Sequence, residues 1–257
     1  MLTVILGIII LFVLGYLLVK FQNPAVKAVP PADLPQLLQT HVRFYQHLPE
    51  VDKKRFVSRA ADFLSYVRIE GVGLKPEPLD NALVAASAII PIWAFEGWRY
   101  PNITNVILYP DTFNKDFQFE GDGRNTLGMV GTGYMNGQMI LSQKGLRDGF
   151  ARDDGNNTGI HEFVHLLDKT DGDTDGRPEY LLDEHHIAPW IRLMHREMQR
   201  IAAGKSDINP YGLTNEAEFF AVISEYFFEK PEKLKEKHPE LYGLLEEMFI
   251  KKTTEPQ

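Results

Sequence analysis

The chain has 257 residues, enough for one sizeable domain or two small ones, and its 44% hydrophobic and 24% charged residues are ordinary for a globular protein. A net charge of -8, with no block of Lys and Arg, argues against a general nucleic-acid binder. The absence of cysteine excludes disulfides but does not choose a compartment.

Met1 to Val19 is uncharged and almost wholly apolar. At 1.5 Å per residue such a run covers about 29 Å, enough to cross the hydrocarbon core of a bilayer. No basic n-region precedes it, and Val26-Lys27-Ala28 is a poor cleavage site, so the expectation is an uncleaved transmembrane anchor over residues 1–20. Lys20, Lys27 and Arg43 all follow the segment, which places the rest of the chain on the cytoplasmic side of the inner membrane. Residues 21–35 carry four prolines and read as a linker, leaving 36–252 as the main domain.

Leu37, Leu38, Val42, Phe44, Tyr45 and Leu48 have helical spacing, and Phe56, Ala60, Phe63, Leu64 and Val67 give a second amphipathic helix over Asp52 to Val67. Asp80 looks like the N-cap of an Ala-rich, buried helix over Asn81 to Ile90. After Tyr100 the pattern changes. Val106 to Tyr109 and Met139 to Ser142 are short apolar runs, with Phe117 to Glu120 and a glycine-rich stretch, Gly121 to Gly137, between them. These read as a small sheet, mixed or antiparallel, joined by turns; the glycines do not give G-x-G-x-x-G.

His161-Glu162-Phe163-Val164-His165 is the informative motif. On a helix, residues i and i+4 share a face, so both imidazoles can reach one metal ion, and Glu162 falls beside it rather than on it. Two imidazoles, a carboxylate from elsewhere and one open position make a catalytic zinc site, in which Glu162 takes a proton from the attacking water. Ile160, Phe163, Val164 and Leu167 would bury this helix, with Asn156, Asn157 or Thr158 as its cap. Asp168 lies on the ligand face and could hold one of the imidazoles from behind. Asp171 to Gly176 matches half of a calcium loop, but Leu182 stands where its bidentate Glu belongs, so a polar turn is expected. A long helix then ends near Ala203; His185, His186 and His195 on or before it match no ligand spacing.

The metzincin extension is excluded, because Asp168 and Asp171 replace its Gly and His. The best remaining carboxylate lies in the helical segment Thr214 to Tyr226. Glu218 there could equally close a capping box with Asn215, and Glu216 could be a first-turn carboxylate favouring the helix dipole. Glu225, two turns on, could support the site or be an ordinary surface acid.

His161-Glu162-Phe163-Val164-His165-x-Leu167-Asp168, followed by Ala217-Glu218-x-Phe220-Ala221-Val222-x-Ser224-Glu225-Tyr226-Phe227-Phe228, resembles the Mlc titration factor A family of glucose-regulated zinc peptidases. Tyr211 to Phe220 also resembles the catalytic domain of anthrax lethal factor, to which that family is related. The similarity covers roughly 34–250. It implies His161, His165 and Glu218 as ligands of one zinc per chain, Glu162 as general base, and Tyr211 as the residue that stabilises the oxyanion. It also fits Gly137 to Ser142 to the strand before the active-site helix. The expected fold is therefore α+β: a mostly helical, zincin-like (gluzincin) metallopeptidase domain with a small sheet, plus the N-terminal transmembrane helix. Gln138, Met139, Ile140, Leu141 and Ser142 are the candidate edge strand for an extended peptide or protein substrate. The alternative implied by the family is an inactive module that binds a transcriptional repressor.

Overall fold

The fold is taken from a computed structural model, which describes residues 30–250 apart from 115, 120, 122, 132–134, 153, 179, 180 and 183. Leu34, Leu38 and Val42 recur at helical spacing and all are buried, but Val42 takes an extended backbone. The single helix expected there is accordingly split into α1 (Leu34–His41) and α2 (Arg43–Gln46). Leu34 and Pro35, expected in the linker, open α1. Helix α3 (Glu50–Tyr66) buries Phe56, Ala60, Phe63 and Leu64 along one face.

Helix α4 (Pro78–Ile89) starts earlier than Asp80 because Pro78, with its fixed φ, takes a first-turn position and Glu77 becomes the cap. Glu77 and Asp80 bond each other's backbone N–H groups in a reciprocal capping box. Asp80 is fully buried yet satisfied, accepting from Gln143 and from both Nε and Nη2 of Arg147.

The sheet has the order β1-β2-β4-β3, with β1 (Arg68–Gly71), β2 (Ile103–Tyr109), β3 (Gly128–Val130) and β4 (Gly137–Ser142). The first three neighbours are parallel and only β3 is antiparallel. Of the two expected arrangements the sheet takes the mixed one: α4 lies in the β1–β2 connection and supplies the crossover that parallel pairing needs, while the short β3–β4 connection permits an antiparallel pair. Phe117 to Phe119 form no strand; Asn114 turns the chain there by accepting from the N–H groups of Asp116 and Gln118.

Strand β4 is not an edge. It pairs with β2 on one side and β3 on the other, so the expectation that Gln138, Met139, Ile140, Leu141 and Ser142 present a free edge is overturned. The edge strand beside β4 is β3, whose far side pairs with no other strand among the described residues. Met139 and Leu141 join the main core with Val106 and Leu108, whereas Ile140 faces the opposite side with Tyr109 and Phe113.

Helices α5 (Gln143–Ala151), α6 (Thr158–Asp168), α7 (Glu184–Ala202), α8 (Glu216–Glu229), α9 (Pro231–Lys237) and α10 (Pro239–Phe249) complete the described chain. One buried cluster runs from Leu34 to Phe249. Gly159 lets α6 approach α4 closely, since a Cβ there would lie 2.1 Å from Ser87 Oγ.

The expected membrane anchor and inner-membrane localisation need correction. No helix among the described residues is long and apolar enough to cross a membrane. Residues 1–20, on which that expectation fell, lie outside the described residues.

Candidate metal centre

Helix α6 begins at Asn157, whose side-chain oxygen accepts the N–H of Ile160 at 3.1 Å and satisfies one of the first-turn donors. Its apolar residues anchor it: Ile160, Phe163, Val164, Leu166 and Leu167 are all buried in the main core. With that face fixed, His161 and His165 come together one turn apart, their Nε2 atoms 3.1 Å from each other. Helix α8 packs against α6 and delivers Glu218, whose Oε2 lies 2.9 Å from His161 Nε2 and 3.4 Å from His165 Nε2.

One ligand atom from each of these three residues falls within 4.8 Å of the others, the one such group found among the described residues. Two facing Nε2 atoms cannot both present lone pairs to each other without repulsion. A cation between them and the Glu218 carboxylate removes that conflict, and imidazole nitrogen with carboxylate oxygen is a donor set that suits zinc. The arrangement fits a metal.

Glu218 does not close a capping box. Asn215 caps α8 by accepting the Glu218 N–H at 2.9 Å, while the Glu218 carboxylate turns to the histidines. Burial alone would raise its pKa, but hydrogen bonds from His161 and His165 bring it down to about 2. Glu216 instead lies 3.1 Å from His195 Nε2 at the surface.

Glu225 stands behind His161. Its Oε1 is 2.7 Å from His161 Nδ1, and its other oxygen accepts the backbone N–H of Asn157. One carboxylate thus joins the ligand helix at both its cap and its first histidine. Burial works against a charged His161 imidazole, but Glu225 and Glu218 outweigh it and hold the pKa well above the ordinary 6.5. Asp168 is placed differently from expectation. His165 Nδ1 has no hydrogen-bond partner, so Asp168 does not orient that ring. Its Oδ2 accepts the N–H of Gly176 at 2.8 Å, and the Gly176 carbonyl in turn accepts the indole N–H of Trp190. Asp168 therefore ties down the loop after α6.

Glu162 is 6% exposed, and burial raises its pKa, with the charges of His161 and His165 acting against that rise. It lies directly over β3: a Cβ at Gly128 would be 2.5 Å from Glu162 Oε1. This contact was missed in the sequence, where Gly128 reads as one of several turn glycines. The available signal was a glycine beside an apolar run, which in a strand marks close backbone approach. Tyr211 sits in a short 3-10 turn, Pro210–Leu213, with Asn209 accepting its N–H. Its ring centre is 6.0 Å from that of His161 and the residue is 54% exposed. Burial and the nearby Glu218 raise its pKa. Asp173 and Asp175 belong to no metal-capable group found among the described residues, and His186 and His195 pair with Glu247 and Glu216.

The family described as glucose-regulated metallo-peptidase M90 matches residues 20–250. The chain belongs to this family. Among its relatives, Mlc titration factor A of Klebsiella pneumoniae is 29% identical over 228 residues, covering 82% of this chain and 83% of the relative. Mlc titration factor A of Escherichia fergusonii is 30% identical over 208 residues, covering 74% and 76%. A protein of Synechocystis named only as uncharacterized is 28% identical over 243 residues, covering 89% and 86%. Membership of the M90 family makes this a metallopeptidase-like protein, and His161, His165 and Glu218 are the group that could hold its metal. The likeness of Tyr211 to Phe220 to anthrax lethal factor remains a reading of the sequence.

Proposed function

We propose that the protein is a zinc-dependent peptidase, with one zinc held by His161, His165 and Glu218. The observation that carries this is the convergence of those three donor groups beside a buried carboxylate, Glu162, that touches a strand with a free edge. A zinc ion bound there supplies Lewis-acid polarisation of the scissile carbonyl and acidifies a water at its open position.

The chain's own residues do the rest. Glu162 accepts the proton of the attacking water and later passes it to the leaving amine. Glu225 holds His161 through Nδ1, which keeps Nε2 directed at the metal position. The Tyr211 hydroxyl donates to the oxygen of the scissile carbonyl as charge develops there. Strand β3 takes the substrate backbone. Leu127 O accepts from Ser142 N, and Gly131 N donates to Gln138 O. Residues 127, 129 and 131 therefore face β4, and the N–H and C=O groups of Gly128 and Val130 point away from it, toward an incoming extended peptide.

The second reading, a module that binds a repressor, rests on the name shared by the Klebsiella and Escherichia relatives. Metal analysis with peptide cleavage by wild type and Glu162→Gln separates the two. A peptidase loses cleavage and keeps zinc in the variant. Zinc-loaded wild type that cleaves no peptide from a broad library would leave only the binding reading.

A further inference from the structure

The outer face of β3, away from the metal, has its own small cavity. A pocket of about 130 Å³, open on one side, is lined there by Phe117, Met129, Val130, Gly131, Met135, Gln138 and Ile140. Its walls come from β3, from β4, from Gly131 and Met135 in the connection between those strands, and from Phe117 in the chain that follows β2. Phe117 holds its place at a cost. It is the one non-glycine residue with positive φ (61°) among the described residues, a conformation disfavoured for a side chain of this kind. Asn114 secures the turn through its carboxamide oxygen and its backbone carbonyl, which accepts the Phe117 N–H at 3.0 Å. Strain kept by a local network at the rim of a cavity beside a free strand edge is the pattern of a ligand-contacting position.

The register of β3 says what reaches this cavity. Gly128 lies under Glu162, and Val130 packs toward the main core, so both belong to the metal-side face. Met129 belongs to the opposite face, against Ile140 and the loop aromatics. An extended chain pairing on the free edge hydrogen-bonds to Gly128 and Val130, and its residue opposite Met129 places its side chain on Met129's own face. Its two flanking side chains fall on the metal-side face. The cavity is therefore reached by one side chain of a peptide whose backbone lies beside Glu162.

We propose that Phe117, Met129, Met135 and Ile140 form a specificity pocket for one apolar side chain of leucine or methionine size. An apolar cavity of about 150 Å³ admits benzene, so this one takes a branched or linear aliphatic group and excludes an indole. It carries no charged wall, so Asp, Glu, Lys and Arg are rejected at that position. This assignment rests on the peptidase reading for its substrate, and the test separates the two.

The full chain carrying Glu162→Gln, loaded with zinc, is titrated with Ala-based decapeptides bearing a single Leu at successive positions, or Asp or Trp in its place. One position is expected to favour Leu over Ala by about tenfold or more, from the extra apolar surface buried, and over Asp and Trp by a larger factor. Adding Met129→Lys is expected to abolish that preference and favour Asp at the same position. Met135→Lys at the pocket rim gives a second variant should the first fail to fold. Absence of any preferred position, or a Leu preference untouched by a folded lysine variant, overturns the pocket. Cleavage of the same peptides by protein with Glu162 intact is scored separately. Selective binding without cleavage keeps the pocket and sinks the peptidase reading; cleavage without selectivity does the reverse.

Discussion

Glu162 packs so closely on Gly128 that no side chain on the strand would be permitted there. A Cβ at position 128 would lie within 2.8 Å of three atoms of the Glu162 side chain. Gly128→Val is therefore expected to push the carboxylate aside, lowering kcat while zinc content, read by metal analysis, stays at one per chain. Glu162→Gln should lose about 10²- to 10⁴-fold in turnover with zinc retained, the range for removing a general base. Tyr211→Phe separates catalysis from packing. If the hydroxyl acts on the developing oxyanion, kcat falls about 10²-fold or more while KM changes little. Unchanged turnover would reduce Tyr211 to a residue that merely shapes the rim. Glu225→Ala should weaken zinc affinity about 10- to 100-fold, because the imidazole it steadies becomes free to turn. An unaltered affinity would show that α6 positions His161 unaided.

At the scale of elements, the site depends on how α8 is held against α6. Asn157 donates to Glu229 and Glu225 accepts from Asn157, so the cap of one helix is bonded to the far half of the other. Below them, Asp207 joins the chain between α7 and α8 to the C-terminal helices. It accepts from Tyr226, Lys237 and His238 and lies 2.9 Å from Lys233 Nζ. Burial would raise the Asp207 pKa, but these donors outweigh it and hold it well below the ordinary 3.8. Because the folded-state value is the lower one, its stabilising contribution is complete above the unfolded value and disappears as pH falls through the window beneath it. Asp207→Asn should cost about 2 kcal/mol at neutral pH, the scale of hydrogen bonds to a charged group. The difference between variant and wild type, read by denaturant unfolding, should shrink below about pH 4. A constant difference across that window would assign the acid sensitivity elsewhere.

For the molecule as a whole, the three donor groups come from two helices that share one core, with His161 and Glu218 57 residues apart in the sequence. A metal that binds only when they are assembled stabilises the fold by about 2.7 kcal/mol at a free concentration of 100 Kd. Chelation should then lower Tm by roughly 5–10 °C in a chain of this size. His165→Ala should abolish the difference between chelated and zinc-supplemented protein. A chelation shift that survived in His165→Ala would place the stabilising metal at another site.

Much of the candidate site was legible in the amino-acid order because its signals are local. The four-residue interval of His161 and His165 determines a shared helical face wherever that helix sits. Asn157 and Asn215 announce helix starts through short side chains that reach their own backbone. The choice between a mixed and an antiparallel sheet was not legible: Val106 to Tyr109 and Met139 to Ser142 look alike whether their neighbours run parallel or antiparallel. Pairing direction is decided by the intervening α4 and by the packing that closes the chain. Asp168 shows the same limit at one residue. Its place on the ligand face of α6 is set by spacing, but Gly176, brought near by the fold, takes the carboxylate that spacing alone would aim at a histidine. The free edge also came only with the tertiary structure. Every strand has two rows of backbone donors and acceptors, and its sequence does not say which row another strand will cover.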